Sequence, residues 1–545
     1  MTTHKPILAL ALAALLTACG GGGGSGGGTT LPEVDTSAVA PADPGSTLPA
    51  NWQNGTFMQV FVRAYKDSDG DGIGDLKGLT TKLDYLKDLG VTGLWLMPVT
   101  ASQDHDHGYA VADFRSIESA YGSLADLDEL LRQAHARGIG VILDYVMNHS
   151  AAQNPLFVNS SAATDNALRD WYVWSASHPG GWSIYGSDPW HVAGSGWYFG
   201  AFWDQMPEFN LLNPVVLGYH FDNLRFWLNR GADGFRFDAV GNLVENGPTA
   251  WENQPQNKAI MGGVRNLLAG YAQRYMVCEA PADPAGYGAA NVCGSAFAFR
   301  IQPNLPPRSV IADAAKGDSA AIQQVANYFP PGQASNQGTL ISNHDSFAGD
   351  RLYDQVGGNL AQYRLAAATY LLQPGIPFIY YGEEVGMAGG AGLSGDPKLR
   401  TPMSWTANAA GFTSGSPFRG LSANIGSFNV EAQAADPGSL LAFYKSMLTL
   451  RKASPALARG AYEAPVADGS VLSFQRHQDA QHALVVINYG AVGTSVALGG
   501  LKPNLPSVPA AFTWPATGAT LSTGADGTAR LAVPAQSVWV FTFAD

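Results

Sequence analysis

Three cysteines in 545 residues exclude a scaffold built on disulfides. The longest apolar run, Ile7 to Leu16, is ten residues, too short to cross a hydrocarbon layer about 30 Å thick. Charge is scarce as well. Asp, Glu, Lys and Arg make up 14% of the chain, against a usual ~25%, so neither a coiled coil nor a disordered acidic segment fits. The 31 basic residues face 44 acidic ones, for a net charge of −13, and form no stripes; nucleic acid is excluded as a partner. Glycine (64), tryptophan (13) and tyrosine (21) are plentiful. Many aromatics among few charges suit a neutral polar ligand with flat apolar faces, such as a sugar.

The amino terminus has a short polar start at His4 and Lys5, then the apolar run, then Leu16-Thr17-Ala18-Cys19. Such a segment reads as an export signal, not a membrane helix. The small residues before Cys19 resemble a bacterial lipobox, which implies cleavage there and lipid on the Cys19 thiol and amine. Residues 1–18 are expected to be removed, and residues 19–50, opening on a Gly-Ser run, to tether a folded body to a membrane. Gly20 behind the cysteine, in place of Asp, favours the outer membrane or cell surface. Cys278 and Cys293 either pair or stay as free thiols; their spacing leaves both open.

From Asn51 onward, short apolar strands alternate with helical patterns, the signature of parallel βαβ units. Strands are expected at Phe57–Phe61, Val91–Met97, Val141–Tyr145, Gly234–Phe237, Met276–Cys278, near Phe297, at Thr339–Ile341 and at Phe378–Tyr381. Helices are expected at Leu79–Leu89, Leu124–Ala136 and near Val215–Arg230. Eight strands with helices between them predict an α/β fold, a (β/α)8 TIM barrel over 51–149 and 211–455. Residues 150–210, rich in Trp, Tyr, Gly and Pro without a clear period, read as a loop-rich insertion after the third strand. Residues 456–545 alternate in the two-residue period of strands and predict a C-terminal antiparallel β-sandwich that packs against the barrel end.

In such a barrel the catalytic groups sit at the C-terminal ends of strands, so the polar residues just past each apolar run matter most. The third strand ends in Asp144-Tyr-Val-Met-Asn148-His149. The fourth carries Arg236 and Asp238 on one face, the fifth ends in Cys278-Glu279, and the seventh in Asn343-His344-Asp345. Three carboxylates converging on one barrel mouth, beside an arginine and two histidines, point to chemistry rather than capping.

With DYVMNH, GFRFDAV, CEA and NHD in order on the expected strands, the chain resembles glycoside hydrolase family 13, the α-amylase family. Met206-Pro-Glu-Phe-Asn210 and Gly375-Ile-Pro-Phe-Ile-Tyr-Tyr-Gly382-Glu383 add to the resemblance. It implies a retaining hydrolase with Asp238 as nucleophile, Glu279 as acid/base and Asp345 binding sugar hydroxyls. Retention needs two carboxyl groups about 5–5.5 Å apart. Arg236 is expected to hold the Asp238 pKa down, while Glu279 needs a raised one. Tyr109 matches the family's stacking aromatic, and His149 and His344 are expected to hydrogen-bond the same sugar ring.

Asp67, Asp69, Asp71 and Asp75 stand at alternate positions around a glycine-containing turn. With the carbonyl of Ile73 they offer the hard oxygen ligands that Ca²⁺ requires. The loop resembles the first nine positions of an EF-hand but has Gly78 at the twelfth. In related branches of the amylase family the same segment holds a structural Ca²⁺. Asn148 matches a second calcium ligand of amylases, whereas the later family histidine is replaced by Asn242.

The substrate class divides two ways. The resemblance to amylases favours α-1,4 cleavage of starch or maltodextrin by a lipid-anchored monomer. Asp106 and Arg400 match a pair that in exo-acting α-glucosidases closes the pocket around a chain end. The alternative is therefore an exo-acting α-glucosidase or a transglycosylase on short α-glucosides.

Overall fold

The protein is described here by a computed structural model covering residues 33–299, 309–515 and 518–545; Cys19 and the export segment lie outside these. Among the described residues no helix is long and apolar enough to cross a membrane. Five parallel strands are Phe57–Val60, Gly93–Leu96, Gly140–Tyr145, Gly234–Phe237 and Tyr275–Cys278, and the last two are Gly338–Thr339 and Ile376–Tyr380. As barrel strands one to five, seven and eight, they lie side by side in the order 5-4-3-2-1-8-7. Parallel bridges from Cys278 to Ala296 and from Phe297 to Gly338 insert a sixth stave and close the ring. The expected strand near Phe297 is thus reduced to a two-residue splice. Strands one to five and eight are buried along their whole length, as expected where a barrel has side chains inside and helices outside.

The barrel interior is filled from below by Trp52, Phe57, Trp95, Ile142, Tyr275, Val277, Phe297 and Phe378. Glycines make room for these rings. A Cβ on Gly93 would sit 2.4 Å from Phe57, and one on Gly140 would sit 2.3 Å from Trp52. The outer helices follow local rules. Helix Leu124–His135 starts on a reciprocal Ser123–Asp126 capping box and buries Leu127, Leu130, Leu131 and Ala134 along one stripe. Helix Pro214–Asn229 starts on Asn213 with Pro214 in its first turn.

Two expectations need correction or refinement. The tether does not run to residue 50. From Asp35 the chain lies docked on the barrel, with Asp35 paired to Arg115, Val39 N–H donating to Asp222 and Leu48 buried. Side-chain partners far away in sequence, invisible to composition, hold it there. The insertion is not only loops: it holds helix Pro155–Ala162 and a three-stranded sheet of Trp174–Ser175, Trp190–Ala193 and Gly196–Phe199. Strands of two to four residues are too short to show a period. The C-terminal unit, a five-stranded sheet with smaller strand pairs from Ala461 to Ala544, packs on outer helices and on the segments that lead into strands seven and eight. Tyr489 meets Thr369 at 2.7 Å, and Phe512 packs edge-on to Phe443.

Cys278 and Cys293 form a disulfide across a separation of 15 residues. It ties the end of the fifth strand to the approach of the two-residue sixth stave. Closing a loop of this length is worth about 3 kcal/mol. Cys293→Ser is therefore expected to lower unfolding stability by about that amount, measured by guanidinium titration. Wild type in reductant should shift as far, and the variant in reductant should not shift further.

Candidate active site

Arg236 organises the barrel mouth. Its guanidinium is fully enclosed and donates from Nη1 to Asp144 Oδ1 at 2.7 Å and to Asp238 Oδ1 at 2.8 Å. From Nη2 it donates to Glu279 Oε2 at 2.5 Å. Arg236 and Asp238 share a face because they stand two apart at the end of one strand. Neighbouring strands then bring Asp144 and Glu279 to either side: Asp144 pairs with Arg236 in register, as does Val277, two residues before Glu279. Asp238 and Glu279 are bound to adjacent nitrogens of one planar fork. Two carboxyl groups thus meet at close range. Ala239, next to Asp238, takes a left-handed conformation (φ 45°) that points its N–H at Glu279 Oε2, 3.3 Å away.

Burial and charge set the proton affinities. Burial pushes the Glu279 carboxyl up to about 8, against the lowering effect of Arg236 and with help from Asp238 and Asp345. Asp238 departs from the sequence expectation. Arg236 does lower it, but burial outweighs the guanidinium, and Asp144 and Asp345 add to the rise, to about 6. The order of the pair is nonetheless the required one, with the extra proton on Glu279.

Asp345, Tyr109, His149 and His344 gather around the same point. Tyr109 Oη lies 3.0 Å from Asp144 Oδ2 and 2.6 Å from His344 Nε2, and its ring stacks on His344 with 11° between planes. His344 Nδ1 meets Gln59 Nε2 at 2.7 Å, so Nδ1 accepts and Nε2 carries the proton, towards Asp345 Oδ2 at 3.1 Å. Burial holds both histidines neutral: it lowers His149 to about 4 and puts His344 well below its ordinary value. His149 Nε2 lies 3.2 Å from the Tyr109 carbonyl.

Asp106 and Arg400 do not pair with each other. Arg400 donates to Asp345 at 2.8 Å, to Asp396 at 3.1 Å and to the His344 carbonyl. Asp106 accepts from Arg419 at 2.6 Å, and Arg419 also donates to the Arg400 carbonyl. Arg419 is the missing link of a chain that joins the loops after strands two, seven and eight. No motif marked it, because it stands alone between Phe418 and Gly420. Sequence reasoning also passed over Asp144 and Gln59 as site residues. The signal for Gln59 was present: a lone polar residue inside Phe57–Phe61.

Of the expected calcium ligands, Asp67, Asp69 and Asp71 come together, with oxygens within 4.8 Å of one another. Asp75 instead caps helix Leu76–Thr80 through Gly78 N–H and binds Ser68. Ile73 donates its N–H to Asp71. Burial raises the Asp67 carboxyl, but bonds from Thr413, Gly70, Gly72 and Asp69 outweigh it and leave it below its ordinary value. Gly72 must be glycine: at φ 91°, its Cβ would fall 1.9 Å from the Ser416 carbonyl. A glycine-turned carboxylate cluster of this kind fits a hard divalent cation. Near Asn148, whose Oδ1 is buried without a partner, Glu208 and Glu245 face each other; burial raises both, Glu208 to about 7.

A family model of the α-amylase catalytic domain matches residues 59–460. The chain is 32% identical over 450 residues to α-amylase 3 of Dictyoglomus thermophilum, covering 81% of this chain and 86% of that protein. It is 34% identical over 492 residues to the trehalose synthase/amylase TreS of Mycolicibacterium smegmatis, covering 79% and 82%. Among solved structures it resembles the trehalulose synthase MutB of Pseudomonas mesoacidophila MX-45, with a TM-score of 0.77 and 26% identity over 90% of this chain and 99% of that one.

Proposed function

This chain belongs to the α-amylase family, and from that premise we propose that it is a retaining α-glucosidase or glucosyl-transferring enzyme of short α-glucosides. The observation that carries the short-substrate reading is the chain Asp106–Arg419–Arg400–Asp345, two ion pairs joined by a hydrogen bond from Arg419 to the Arg400 carbonyl. It runs along one side of the mouth, beside Asp345, where a long glucan would have to thread past the terminal sugar. Likeness to a trehalose synthase/amylase and a trehalulose synthase supports the same choice over a polymer-cleaving amylase.

The mechanism follows from the shared guanidinium. Asp238 attacks the anomeric carbon while Glu279 protonates the departing oxygen. Glu279 then takes the proton of water or of an acceptor hydroxyl as the glucosyl ester on Asp238 is displaced. Asp345 with Arg400 and His344 holds the ring hydroxyls, a grip that gains strength as positive charge develops. A product profile over time on maltose, maltotriose and soluble starch tests the reading. Glucose release and transfer products from maltose are expected, with starch a poor substrate. Rapid mid-chain cleavage of starch would overturn it.

The active form needs Asp238 ionised and Glu279 protonated. Activity is lost as pH falls and Asp238 gains a proton, and lost as pH rises and Glu279 gives one up. A bell in kcat/KM with limbs near about 6 and about 8 is expected. The limbs belong to the pair, not to either residue alone.

Asp67, Asp69 and Asp71, with the Ile73 carbonyl and Asp75 after a turn away from Gly78, would hold Ca²⁺ and pin the first loop. The ion would supply stability, not chemistry. Chelation is expected to lower the unfolding temperature, and added Ca²⁺ to restore it; Asp69→Ala should remove both responses in a thermal melt. We further propose export and lipid attachment at Cys19, with residence at the outer membrane or cell surface. The Cys278–Cys293 disulfide supports an oxidising compartment.

A further inference from the structure

The Cys278–Cys293 disulfide adjoins the chemistry, because the residue after Cys278 is Glu279. Strand five is held unequally on its two flanks. Towards strand four it pairs along its whole length, Tyr275–Cys278 with Gly234–Phe237. Towards the sixth stave, among the described residues, the backbone bonds are those of Cys278 alone. Its N–H donates to the Ser295 carbonyl at 3.0 Å, and its carbonyl accepts from Phe297 N–H at 3.1 Å. The barrel wall is therefore thinnest beside the acid/base.

Glu279 begins the loop that the disulfide closes. Within that loop Asp283 caps the short helix Pro284–Tyr287, and Lys258 Nζ donates to Asp283 at 2.6 Å. Tyr287 reaches out of the loop and donates its hydroxyl to the Val240 carbonyl at 3.1 Å. Val240 N–H donates in turn to the Glu279 carbonyl at 3.2 Å, and Cys293 N–H donates to the Tyr287 carbonyl at 3.0 Å. These contacts make a closed circuit. It runs from Glu279 to Val240, Tyr287 and Cys293, crosses the sulfurs to Cys278, and returns to Glu279 through one peptide bond. Val240, Cys278, Tyr287 and Cys293 are all buried, so water does not compete for its hydrogen bonds.

The other restraints on Glu279 come from one side. Arg236 Nη2 and Ala239 N–H hold its carboxyl, and its own N–H donates to the Phe237 carbonyl; all three belong to strand four or its end. A strand end bonded along one edge still rocks about that edge and carries its side chain through an arc. A second edge stops the rocking. Resting on the function proposed above, we infer that Cys278, Cys293 and Tyr287 are positioning residues of the acid/base. The disulfide and the tyrosine hydroxyl close the circuit that fixes the line along which Glu279 delivers its proton, so acid catalysis depends on the disulfide being formed. A misplacement of about 1 Å at a reacting group costs on the order of 10²-fold in rate, and partial loss of the restraint a smaller factor.

The test uses two donors that differ in their need for that proton. The leaving hydroxyl of maltose requires it, whereas α-glucosyl fluoride releases fluoride without it. Wild type, Cys293→Ser and Tyr287→Phe are compared by kcat/KM, which reports the step that breaks the donor bond. In Cys293→Ser, assayed well below its unfolding temperature, kcat/KM on maltose is expected to fall about tenfold further than on the fluoride. Tyr287→Phe, which removes one hydroxyl, should show the same bias at about threefold. An unchanged maltose-to-fluoride ratio in Cys293→Ser overturns the assignment, whatever loss the two donors share, because a merely structural disulfide would slow both alike. Where that variant fails to fold, the ratio in Tyr287→Phe decides in the same way. A wild type that turns over neither donor overturns the functional reading instead.

Discussion

Asp238→Asn is expected to lower kcat/KM on maltose and on α-glucosyl fluoride alike, by about 10⁴-fold or more. Both substrates need a nucleophile at the anomeric carbon, and the amide supplies none. Glu279→Gln should behave differently. On maltose the departing hydroxyl needs a proton, and losing the acid costs about 10³-fold. Fluoride leaves without protonation, so formation of the glucosyl ester survives and its breakdown becomes limiting. Azide, which needs no base, should then restore turnover and yield α-glucosyl azide, the configuration retained. Wild-type-like fluoride turnover in Asp238→Asn would place the nucleophile elsewhere. A Glu279→Gln enzyme equally slow on both donors and deaf to azide would remove Glu279 from the acid/base role.

Arg236→Leu is expected to have the second largest effect. The guanidinium is the shared partner of Asp144, Asp238 and Glu279, all enclosed with it. Removing one partner of a buried ion pair costs about 3–5 kcal/mol, because the remaining charges stay out of water without compensation. The carboxyls respond by holding their protons more tightly. Asp238 then ionises only above its wild-type value of about 6, so the acid limb of the pH profile moves up and neutral activity collapses. Arg236→Lys keeps a charge but lacks the two-nitrogen fork; it should recover stability more than rate. An unchanged acid limb in Arg236→Leu would show that the guanidinium does not control Asp238.

Much of the catalytic centre was legible because the barrel reads one-dimensional pattern directly. A buried parallel strand is a short apolar run, and the residue just beyond it must lie at the mouth. Asp238, Glu279 and Asp345 could be named on that ground before any coordinates. The sixth stave was nearly invisible, since Ala296 and Phe297 carry only single bridges and no run of apolar residues marks them. The short strands of the loop-rich insertion went unseen for a similar reason: they are shorter than the period that would reveal them.

The sequence by itself determined the eight-strand rhythm, the carboxylates at strand ends and the acidic loop from Asp67 to Asp75. These depend on neighbours close in the chain, where spacing alone decides which face a side chain takes. Only the tertiary structure decided that Arg400 grips Asp345 while Arg419 takes Asp106. It also decided that Cys278 pairs with Cys293, that residues 35–48 dock on the barrel, and that burial overrides Arg236 at Asp238. Each of those outcomes is a contest among groups far apart in sequence, settled by distance and exclusion of water, which no local pattern records.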